Sequence, residues 1–393
     1  MTAEIEPEAV GKLAALLVRH PSEQSEAMES DPAVLGLIDK VVGPWLQRTG
    51  LSAERDGMGN LMVDLVAPSE GPHLMIVGYA MTHPRGAMPR PFDGDIIAVD
   101  GANALRGRGV SEQKGPLAAA LSALQAFARK GGPASGRLTF ALVTAGETGR
   151  HDAAASVLAH LGSVPDFAVI ALGTDSRVAI GNKGRIDVDI TVHGRSCHSS
   201  TPWQGVDAVA GARAAMDRLD DLRIAERPAP ERFGPRALTV TAIESFPKAT
   251  HTVQDRVALT VDRRLLPGDD PDEALAEIRQ AIGDLPPWTV EIALGPVMYP
   301  ALVDESCDLV RVIRQAISAE DSALDTFFSP AALDAGYFLT KGSQAVMWGP
   351  GKMEQFHSSE EAVALDDLAR GARGYLGLMR RLLGTRELGH KTC

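Results

Sequence analysis

Apolar and polar residues follow helical and strand-like periods in turn along the first part of the chain. Apolar residues at helical spacing predict helices over residues 6–19 and about 31–48. Short apolar runs then predict strands at "NLMVDLV" and "HLMIVGY". Beyond a Gly- and Arg-rich loop, a helix is predicted from about Pro116 to Lys130, followed by strand "RLTFALVTA", helix "DAAASVLAHL" and strand "DFAVIALG". Alternating strands and helices are typical of a largely parallel sheet that helices cover.

The period changes near residue 182. In "RIDVDITVHG" apolar and polar residues alternate strictly, which places Ile186, Val188, Ile190 and Val192 on one face of a strand. The segments that follow predict the order β-α-β-β-α-β, the ferredoxin-like arrangement. We therefore predict an inserted α+β domain over residues 182–296.

The α/β pattern resumes after this insertion. "CDLVRVIRQAI" predicts a helix, "QAVMWG" a strand and "ALDDLARGARGYLGLMRRLL" a long closing helix. The predicted fold class is α/β, with a mostly parallel, helix-covered sheet in a catalytic-type domain. That domain is formed by residues 1–181 and 297–393, and the ferredoxin-like domain interrupts it.

Composition and charge narrow the classes of partner. The 393 residues are 45% hydrophobic and 23% charged, which is ordinary for a globular protein, and the net charge of −12 argues against nucleic acid or anionic membrane as the main partner. Cys197, Cys307 and Cys393 are too far apart to indicate a disulfide framework or a CxxC metal site. The N-terminus lacks the pattern of a signal peptide, and no apolar run is long enough to span a bilayer, so we expect a cytoplasmic protein.

Five side chains able to bind a metal or transfer a proton lie in loops next to the predicted sheet elements. Loops at the carboxyl ends of parallel strands meet at one edge of the sheet, so these side chains are expected to approach one another there. Carboxylates and imidazoles together bind divalent metals such as zinc, although the same residue types also serve as surface caps. The five are His83, Glu112, Glu147, Asp175 and His357.

Four groups of motifs give the chain a resemblance to a known superfamily. They are "GRGVSEQKG" (107–115), "GNKG" with "VHGRSCHSSTPWQGVDA" (181–208), "VDRRLLPGDD" (261–270), and "GPG" with "HSSEEAV" (349–363). In this order they resemble the zinc hydrolases of the aminoacylase, acetylornithine deacetylase, succinyl-diaminopimelate desuccinylase and carboxypeptidase G superfamily. The resemblance covers essentially the whole chain, and it implies that the inserted domain serves as a lid and dimerisation domain.

The resemblance also implies a site with two zinc ions. The ligands would be a His at a Gly-His-x-Asp strand exit, a bridging Asp in the GRG loop, the second Glu of an Asp-Glu-Glu loop, an Asp or Glu after the next strand, and a His near the C-terminus. The first Glu of the pair would be the general base. Mapped by motif, Glu147 and His357 match their ligand positions, Glu112 replaces the bridging Asp, and Asp175 offers the fourth ligand, with Thr174 one residue away.

Three further positions depart from the pattern of this superfamily. Tyr79 stands where the first His belongs, Met81 where the acid that orients this His belongs, and Gly146 where the general base belongs. An arginine expected near "DAGYF", for a substrate carboxylate, is also absent, with Gly336 nearby. The resemblance therefore implies one divalent metal (zinc, or manganese or cobalt) on Glu112, Glu147 and His357, or a metal-free site.

The loss of the general base leaves several replacements open. His83, Glu112, or Glu147 without a metal is able to accept the proton, and Tyr79 is able to donate a hydroxyl hydrogen bond to an oxyanion. Packing explains Tyr79 equally well, and an outward loop position explains His83 equally well.

The inserted domain keeps more of the superfamily pattern. His198 in "SCHSS" matches a histidine that reaches the partner's active site across a dimer and stabilises the oxyanion, so the resemblance implies a homodimer through this domain. His251 stands where an Asn of the superfamily often faces the substrate, and Arg264 matches the arginine of a D-x-R-x-x-PG motif. Lid folding and strand pairing are the alternative roles for His198 and Arg264.

Three functions remain open at this point. The first is a hydrolase, or a related lyase, that acts on a C–N amide-type bond of a small amino-acid-like metabolite, with a divergent site and zero or one metal. Its site residues would be Tyr79, His83, Glu112, Glu147 and His198, with His251 and Arg264 at the substrate. The second is a non-catalytic metabolite-binding relative, and the third is a standard dinuclear zinc deacylase or peptidase.

Overall fold

The fold is that of a computed structural model, which describes residues 5–99, 101–318 and 325–385. Cys393 of the sequence analysis lies outside these residues. The helices are α1 Pro7–Val18, α2 Pro32–Leu37, α3 Gly43–Arg48, α4 Gly115–Arg129, α5 Asp152–Leu161, α6 Ala208–Asp220, α7 Pro271–Ile282, α8 Asp308–Ser318, α9 Ala335–Thr340 and α10 Leu365–Leu383.

The strands are β1 Glu54–Arg55, β2 Leu61–Val66, β3 His73–Tyr79, β4 Asp95–Val99, β5 Ala102–Arg106, β6 Arg137–Val143, β7 Phe167–Ile170, β8 Val178–Asn182, β9 Gly184–His193, β10 Leu238–Phe246, β11 Arg256–Leu265, β12 Thr289–Met298, β13 Ala301–Leu302, β14 Thr326–Ser329, β15 Gln344–Met347 and β16 Ala362–Ala364. Two π-helical turns, Ile38–Val42 and Val110–Lys114, run directly into α3 and α4.

The polypeptide forms two compact units. One contains Met1–Gly181, Val303–Phe327 and Tyr337–Cys393, and the other contains Asn182–Leu302 with Phe328–Gly336. The inserted domain over residues 182–296 stays a prediction. No helix within the described ranges is both long and apolar enough to cross a membrane.

The first unit is built on a mixed sheet with a parallel centre. Its strands run in the order β1-β2-β6-β3-β7-β15-β8, and β6, β3, β7 and β15 are parallel to one another. Every residue of β3 is buried, as expected for a central strand with packing on both faces. The carboxyl ends of these four strands therefore lie at one edge of the sheet.

Helices with a single apolar face complete the first unit. α10 buries Leu368, Tyr375, Leu376 and Met379 against the core, at the helical spacing that the sequence predicts. A small antiparallel sheet, β16-β5-β4, is also present, and the sequence analysis did not predict it.

The second unit is an antiparallel sheet with two helices. Its strands run in the order β10-β11-β9-β12, with chain order β9-α6-β10-β11-α7-β12. Ile186, Val188, Ile190 and Val192 of β9 are fully buried in a core that α6 and α7 share. Asp207 and Asp270 cap these helices by accepting backbone N–H bonds. The predicted fold class, a mostly parallel α/β sheet with an inserted α+β unit, is confirmed.

Candidate active site

The candidate site lies in loops that leave the parallel strands of the first unit. β3 ends at Tyr79, β6 at Val143, β7 at Ile170 and β15 at Met347, and the chain continues from each into a loop. Such loops lie beyond the hydrogen bonds between strands, and parallel strands bring them to the same edge of the sheet. The side chains of interest come from three of these loops and from the turn that begins α4.

Glu112 stands on the π-helical turn Val110–Lys114, where the sequence analysis predicted a Gly- and Arg-rich loop. Gly173 and Gly351 press on this turn, because a Cβ at either position would lie 2.0 or 2.1 Å from the Ser111 carbonyl oxygen. Only glycine permits this approach, so the turn is held from two sides. π-turns inside helices are frequent at functional sites, and this one points a carboxylate inward.

A buried ion pair also supports this π-helical turn. Arg108 and Glu361 form a salt bridge with side chains that are 1% and 0% exposed. The Ser111 N–H donates to Glu361 Oε2 at 3.3 Å, and Arg108 Nη2 donates to the Arg85 carbonyl at 2.8 Å. The pair links the α4 turn to the loop after β15, so both parts of the site share one support.

Glu147 belongs to the loop after β6, and two amides fix it. Gln113 Nε2 donates to Glu147 Oε1 at 2.8 Å, and Gln24 Nε2 donates to the Glu147 carbonyl oxygen at 2.7 Å. The remaining oxygen, Oε2, lies 3.6 Å from His357 Nε2. The carboxylate is therefore oriented with one oxygen toward the histidine.

His357 follows β15 and faces both carboxylates. Its Nε2 lies 3.3 Å from Glu112 Oε1, and its backbone φ of 62° is in the left-handed region, which is uncommon for residues other than glycine. Hydrogen bonds with Glu112 and Glu147 raise the pKa of His357. Burial raises the pKa of Glu112, whose Oε2 is buried without a hydrogen-bond partner among the described residues.

Glu112, Glu147 and His357 form the donor set of a candidate metal centre. One ligand atom from each residue lies within 4.8 Å of the other two, and this is the one such cluster in the part of the chain that the structure describes. Two carboxylates and an imidazole suit a divalent ion, and three protein ligands are the usual number at a catalytic zinc. Glu112 Oε2 is buried without a hydrogen-bond partner among the described residues, and a bound cation would serve as its partner.

His83 stacks on His357. Their ring centroids are 3.9 Å apart with an interplanar angle of 14°. His83 Nδ1 lies 3.0 Å from the Pro84 carbonyl, which can only accept, so Nδ1 carries the hydrogen and Nε2 keeps its lone pair. Burial and the charge of His357 hold the pKa of His83 below its ordinary value. The structure thus brings four of the five predicted loop residues together.

The fifth, Asp175, lies outside this cluster. Its side chain is exposed, and its backbone has a left-handed φ of 54°. The neighbouring Thr174 is buried, and its hydroxyl exchanges hydrogen bonds with the backbone of Gly349. Neither residue contributes to the three-ligand cluster.

One part of the same sheet edge is tightly packed and buried. It contains Tyr79, Met81 and Gly146. Tyr79 is 3% exposed and Met81 is fully buried in the core. A Cβ at Gly146 would lie 2.4 Å from the Met81 carbonyl oxygen, and Met81 N–H donates to Ala145 O at 3.2 Å. The two loops are thus in backbone contact at the position where a side chain from residue 146 would begin.

In the second unit, His198 and His251 lie on neighbouring loops. Both are exposed, with ring centroids 6.4 Å apart. The Ser200 N–H donates to His198 Nδ1 at 3.2 Å, so the neutral ring carries its hydrogen on Nε2.

Arg264 has a carboxylate partner already. Its guanidinium makes two bonds to Asp262, at 2.9 and 3.0 Å. Near Gly336 the backbone is closed, because a Cβ there would lie 1.8 Å from the Tyr299 carbonyl oxygen.

Comparison with known proteins adds a family to this geometry. The sequence profile described as Peptidase family M20/M25/M40 matches residues 82–381, well over half of the chain. The chain belongs to this family.

Three similar proteins are between 15% and 26% identical to the chain. A succinyl-diaminopimelate desuccinylase of Granulibacter bethesdensis is 26% identical over 346 residues, which cover 83% of this chain and 87% of the relative. A probable carboxypeptidase of Aspergillus fumigatus is 25% identical over 329 residues, which cover 80% and 71%. The crystal structure of an M20 family metallo-carboxypeptidase from Sulfolobus solfataricus has a TM-score of 0.77 at 15% identity and covers 95% of this chain and 99% of that one.

These findings confirm the resemblance that the motifs predict. They also place the chain among amidohydrolase- and peptidase-like enzymes, as the sequence analysis expected. The likeness to the solved structure concerns the fold alone, and the roles of single side chains in this family member stay predictions.

Two residues of the site were not predicted from the sequence, namely Gln24 and Gln113. Gln113 stands inside the "GRGVSEQKG" motif, beside Glu112, so its proximity to the site was open to inference. Gln24 had no such signal, because it lies in an irregular segment 123 residues before the carbonyl group that it contacts.

Proposed function

We propose that this family member is a hydrolase that cleaves a C–N amide-type bond in a small amino-acid-like metabolite. The observation that carries the proposal is the convergence of Glu112, Glu147 and His357, with ligand atoms within 4.8 Å of one another. The desuccinylase and carboxypeptidase relatives support the reaction class. The identity of the metabolite is left to experiment.

In this proposal Glu112, Glu147 and His357 hold one divalent metal. A bound divalent ion would polarise the substrate carbonyl as a Lewis acid. Among the described residues a second ion has no comparable donor set, because Tyr79 and Met81 are buried at the strand exit and Asp175 lies outside the cluster. The proposal is therefore a divergent, mononuclear site.

His83 is the proposed general base. Nδ1 carries the hydrogen and bonds to the Pro84 carbonyl, so the lone pair of Nε2 can accept a proton. The ring of His83 stacks on that of His357. His83 Nε2 takes a proton from the attacking water as the C–O bond forms and the carbonyl oxygen becomes an oxyanion. The same proton then passes to the leaving nitrogen as the C–N bond breaks and the carbonyl reforms. The products are a carboxylic acid and an amine, or their carbamic equivalents.

His198 is the proposed donor to the oxyanion, in a homodimer formed through the inserted domain. The bond from Ser200 to Nδ1 leaves Nε2–H for this purpose. Tyr79 is a second candidate hydroxyl donor. His251 and Arg264 are the candidate substrate contacts, although a substrate carboxylate would share Arg264 with Asp262.

The metal part of the proposal is tested by the number of ions per chain. Wild-type protein and Asp175→Asn, loaded with Zn²⁺ or Mn²⁺ and freed of excess, should each retain one ion by elemental analysis. His357→Ala should retain none, because one of three ligands is removed. Two ions per wild-type chain, or a loss of metal in Asp175→Asn, would contradict the mononuclear site.

The reaction is tested by a substrate screen. N-acyl amino acids, N-carbamoyl amino acids and dipeptides are incubated with the protein, and release of free amine is measured with and without chelator. We expect turnover that chelator abolishes and metal restores. If no compound turns over while some raise the melting temperature, the protein binds metabolites without hydrolysing them.

A further inference from the structure

Glu147 offers two oxygens, and the structure commits them to different neighbours. Oε1 accepts from Gln113 Nε2 at 2.8 Å, whereas Oε2 faces His357 Nε2 at 3.6 Å. Gln113 is 1% exposed, so the hydrogen bond from its side-chain amide to the carboxylate is shielded from water. A bond of this kind to a charged group is stronger than a bond between neutral groups.

We propose that Gln113 is a positioning residue that restricts Glu147 to ligation through a single oxygen, Oε2. The inference rests on the proposed function, since it assigns the orientation of a ligand at the proposed metal centre. With Oε1 facing the Gln113 amide and Oε2 facing His357, the carboxylate presents one oxygen to the cluster. The remaining coordination positions of the ion are then left for water and substrate.

The amide can have only one orientation against Glu147. A carboxylate only accepts hydrogen bonds, so the NH₂ group of Gln113 must face it and the amide oxygen must point away. The Gln113 Oε1 atom is buried without a hydrogen-bond partner among the described residues. The site thus tolerates an unsatisfied acceptor, which is unfavourable by itself, in order to place a donor on Glu147.

The backbone of Glu147 is held independently of its carboxylate. Gln24 Nε2 donates to the Glu147 carbonyl at 2.7 Å, and Gln24 N–H donates to the Thr82 carbonyl at 2.8 Å. Gln24 therefore joins the Glu147 loop to the segment that carries His83. Because Gln24 fixes the main chain, loss of the Gln113 amide should free the side chain of Glu147 without releasing its loop.

The test compares Gln113→Met with Gln125→Met. Methionine keeps the length of glutamine and removes the donor, and Gln125 provides the same substitution about 18 Å further along α4 at 1.5 Å per residue. Co²⁺ binding is measured by competition with a chromophoric chelator. The visible absorption of the bound Co²⁺ is recorded as well, because its intensity falls as the coordination number rises.

We expect Gln113→Met to bind Co²⁺ about 10- to 100-fold more weakly than wild type, in line with the loss of other partners of metal ligands. Its absorption per bound ion should fall, because Glu147 is then free to bind through both oxygens. Gln125→Met should match wild type in both measurements, and the metal-free forms of all three proteins should unfold at similar denaturant concentrations.

Two results would overturn the inference. Equal affinities in Gln113→Met and Gln125→Met, or an unchanged absorption spectrum in Gln113→Met, would show that Gln113 does not set the ligation of Glu147, while the metal centre itself would stand. Absence of Co²⁺ binding in wild type would instead remove the proposed metal centre, and the role of Gln113 with it.

Discussion

At the scale of single residues, the position of one hydrogen on each imidazole ring decides what the ring can do. Pro84 O fixes the hydrogen of His83 on Nδ1, and the Ser200 N–H leaves the hydrogen of His198 on Nε2. In the proposal the first arrangement leaves Nε2 of His83 to accept a proton, and the second leaves Nε2–H of His198 to donate a hydrogen bond. The chemistry follows from backbone groups next to each ring, not from the histidines alone.

His83→Phe tests the base. Phenylalanine keeps a flat ring against His357 and removes both nitrogens, so we expect kcat to fall about 10²- to 10⁴-fold, the usual contribution of general-base catalysis. Metal content, measured by elemental analysis, should stay at the wild-type value because His83 is not a ligand. A variant with wild-type kcat would assign the base to another group.

Gly146 is fixed by the neighbouring main chain. A Cβ at this residue would lie 2.4 Å from the Met81 carbonyl oxygen, and a carbonyl in a fully buried segment has little room to move. Gly146→Ala should lower the free energy of unfolding by about 1–3 kcal/mol, as overpacking does elsewhere. Chemical denaturation measures the change.

Gly57→Ala is the matched control for Gly146→Ala, because a Cβ at Gly57 would have nothing within 4 Å. Gly146→Glu, which introduces the carboxylate that the motif resemblance implies at this position, should be destabilised at least as much and should not raise kcat. A gain in kcat would show that the two loops separate readily.

At the scale of elements, the site depends on contacts that join distant segments. The π turn before α4 presents Glu112, and Gly173 and Gly351 hold it from the loops after β7 and β15. The Arg108–Glu361 ion pair adds a third connection across about 250 residues of sequence. The turn geometry is therefore a property of the assembled sheet edge.

A buried histidine connects three strands and makes their stability depend on pH. His73 of β3 contacts the Thr139 hydroxyl of β6 at 2.8 Å, and Thr139 donates to Asp64 of β2. Burial, with the charge of Arg137, lowers the pKa of His73 to about 4. Below pH 6.5 the unfolded chain takes up a proton that the folded chain refuses until about pH 4.

The stabilisation from neutral His73 is thus complete above pH 6.5 and is lost as the pH falls toward 4. We expect wild type to lose on the order of 2–3 kcal/mol of unfolding free energy, relative to His73→Gln, over this interval. Urea titrations at several pH values measure the difference. His160→Gln, on the surface of α5, should follow wild type, and a parallel pH dependence for His73→Gln would refute the linkage.

At the scale of the whole molecule, the proposal joins two units of different architecture. The first carries the candidate metal cluster of Glu112, Glu147 and His357, and the second carries His198 on an exposed loop. A symmetric dimer is the most common assembly of soluble proteins, and it allows each chain to complete the site of its partner. The proposed dimer is therefore a functional unit rather than a packing arrangement.

Mixing two inactive variants tests this shared site. His198→Ala and Glu147→Ala, dissociated and reassociated in equal amounts, should recover up to about a quarter of wild-type activity, because random pairing makes half of the dimers mixed and each mixed dimer has one intact site. Light scattering should give the mass of a dimer. Failure to regain activity in a confirmed mixed dimer would place each site within one chain.

The sequence allowed much of the fold to be predicted, and the reason is local periodicity. The alternation at Ile186, Val188, Ile190 and Val192 predicts a strand with one face against a core. In the structure these four side chains are buried in the core of the second unit. In the sheet β16-β5-β4, strand β16 escaped prediction because it has three residues and pairs with a segment about 260 residues away. A run that short has no period to detect.

The sequence by itself determined the family, the alternation of elements, and four of the loop side chains that the structure brings together, namely His83, Glu112, Glu147 and His357. Motif order and apolar spacing are properties of the linear chain, which is why they could be read from it. Only the tertiary structure decided that Glu112 stands on a π turn, that His83 stacks on His357, and that Asp175 lies apart. It also decided that Gln24 and Gln113 hold Glu147. These features depend on distances between loops that the sheet edge brings together, and no spacing along the chain encodes such distances.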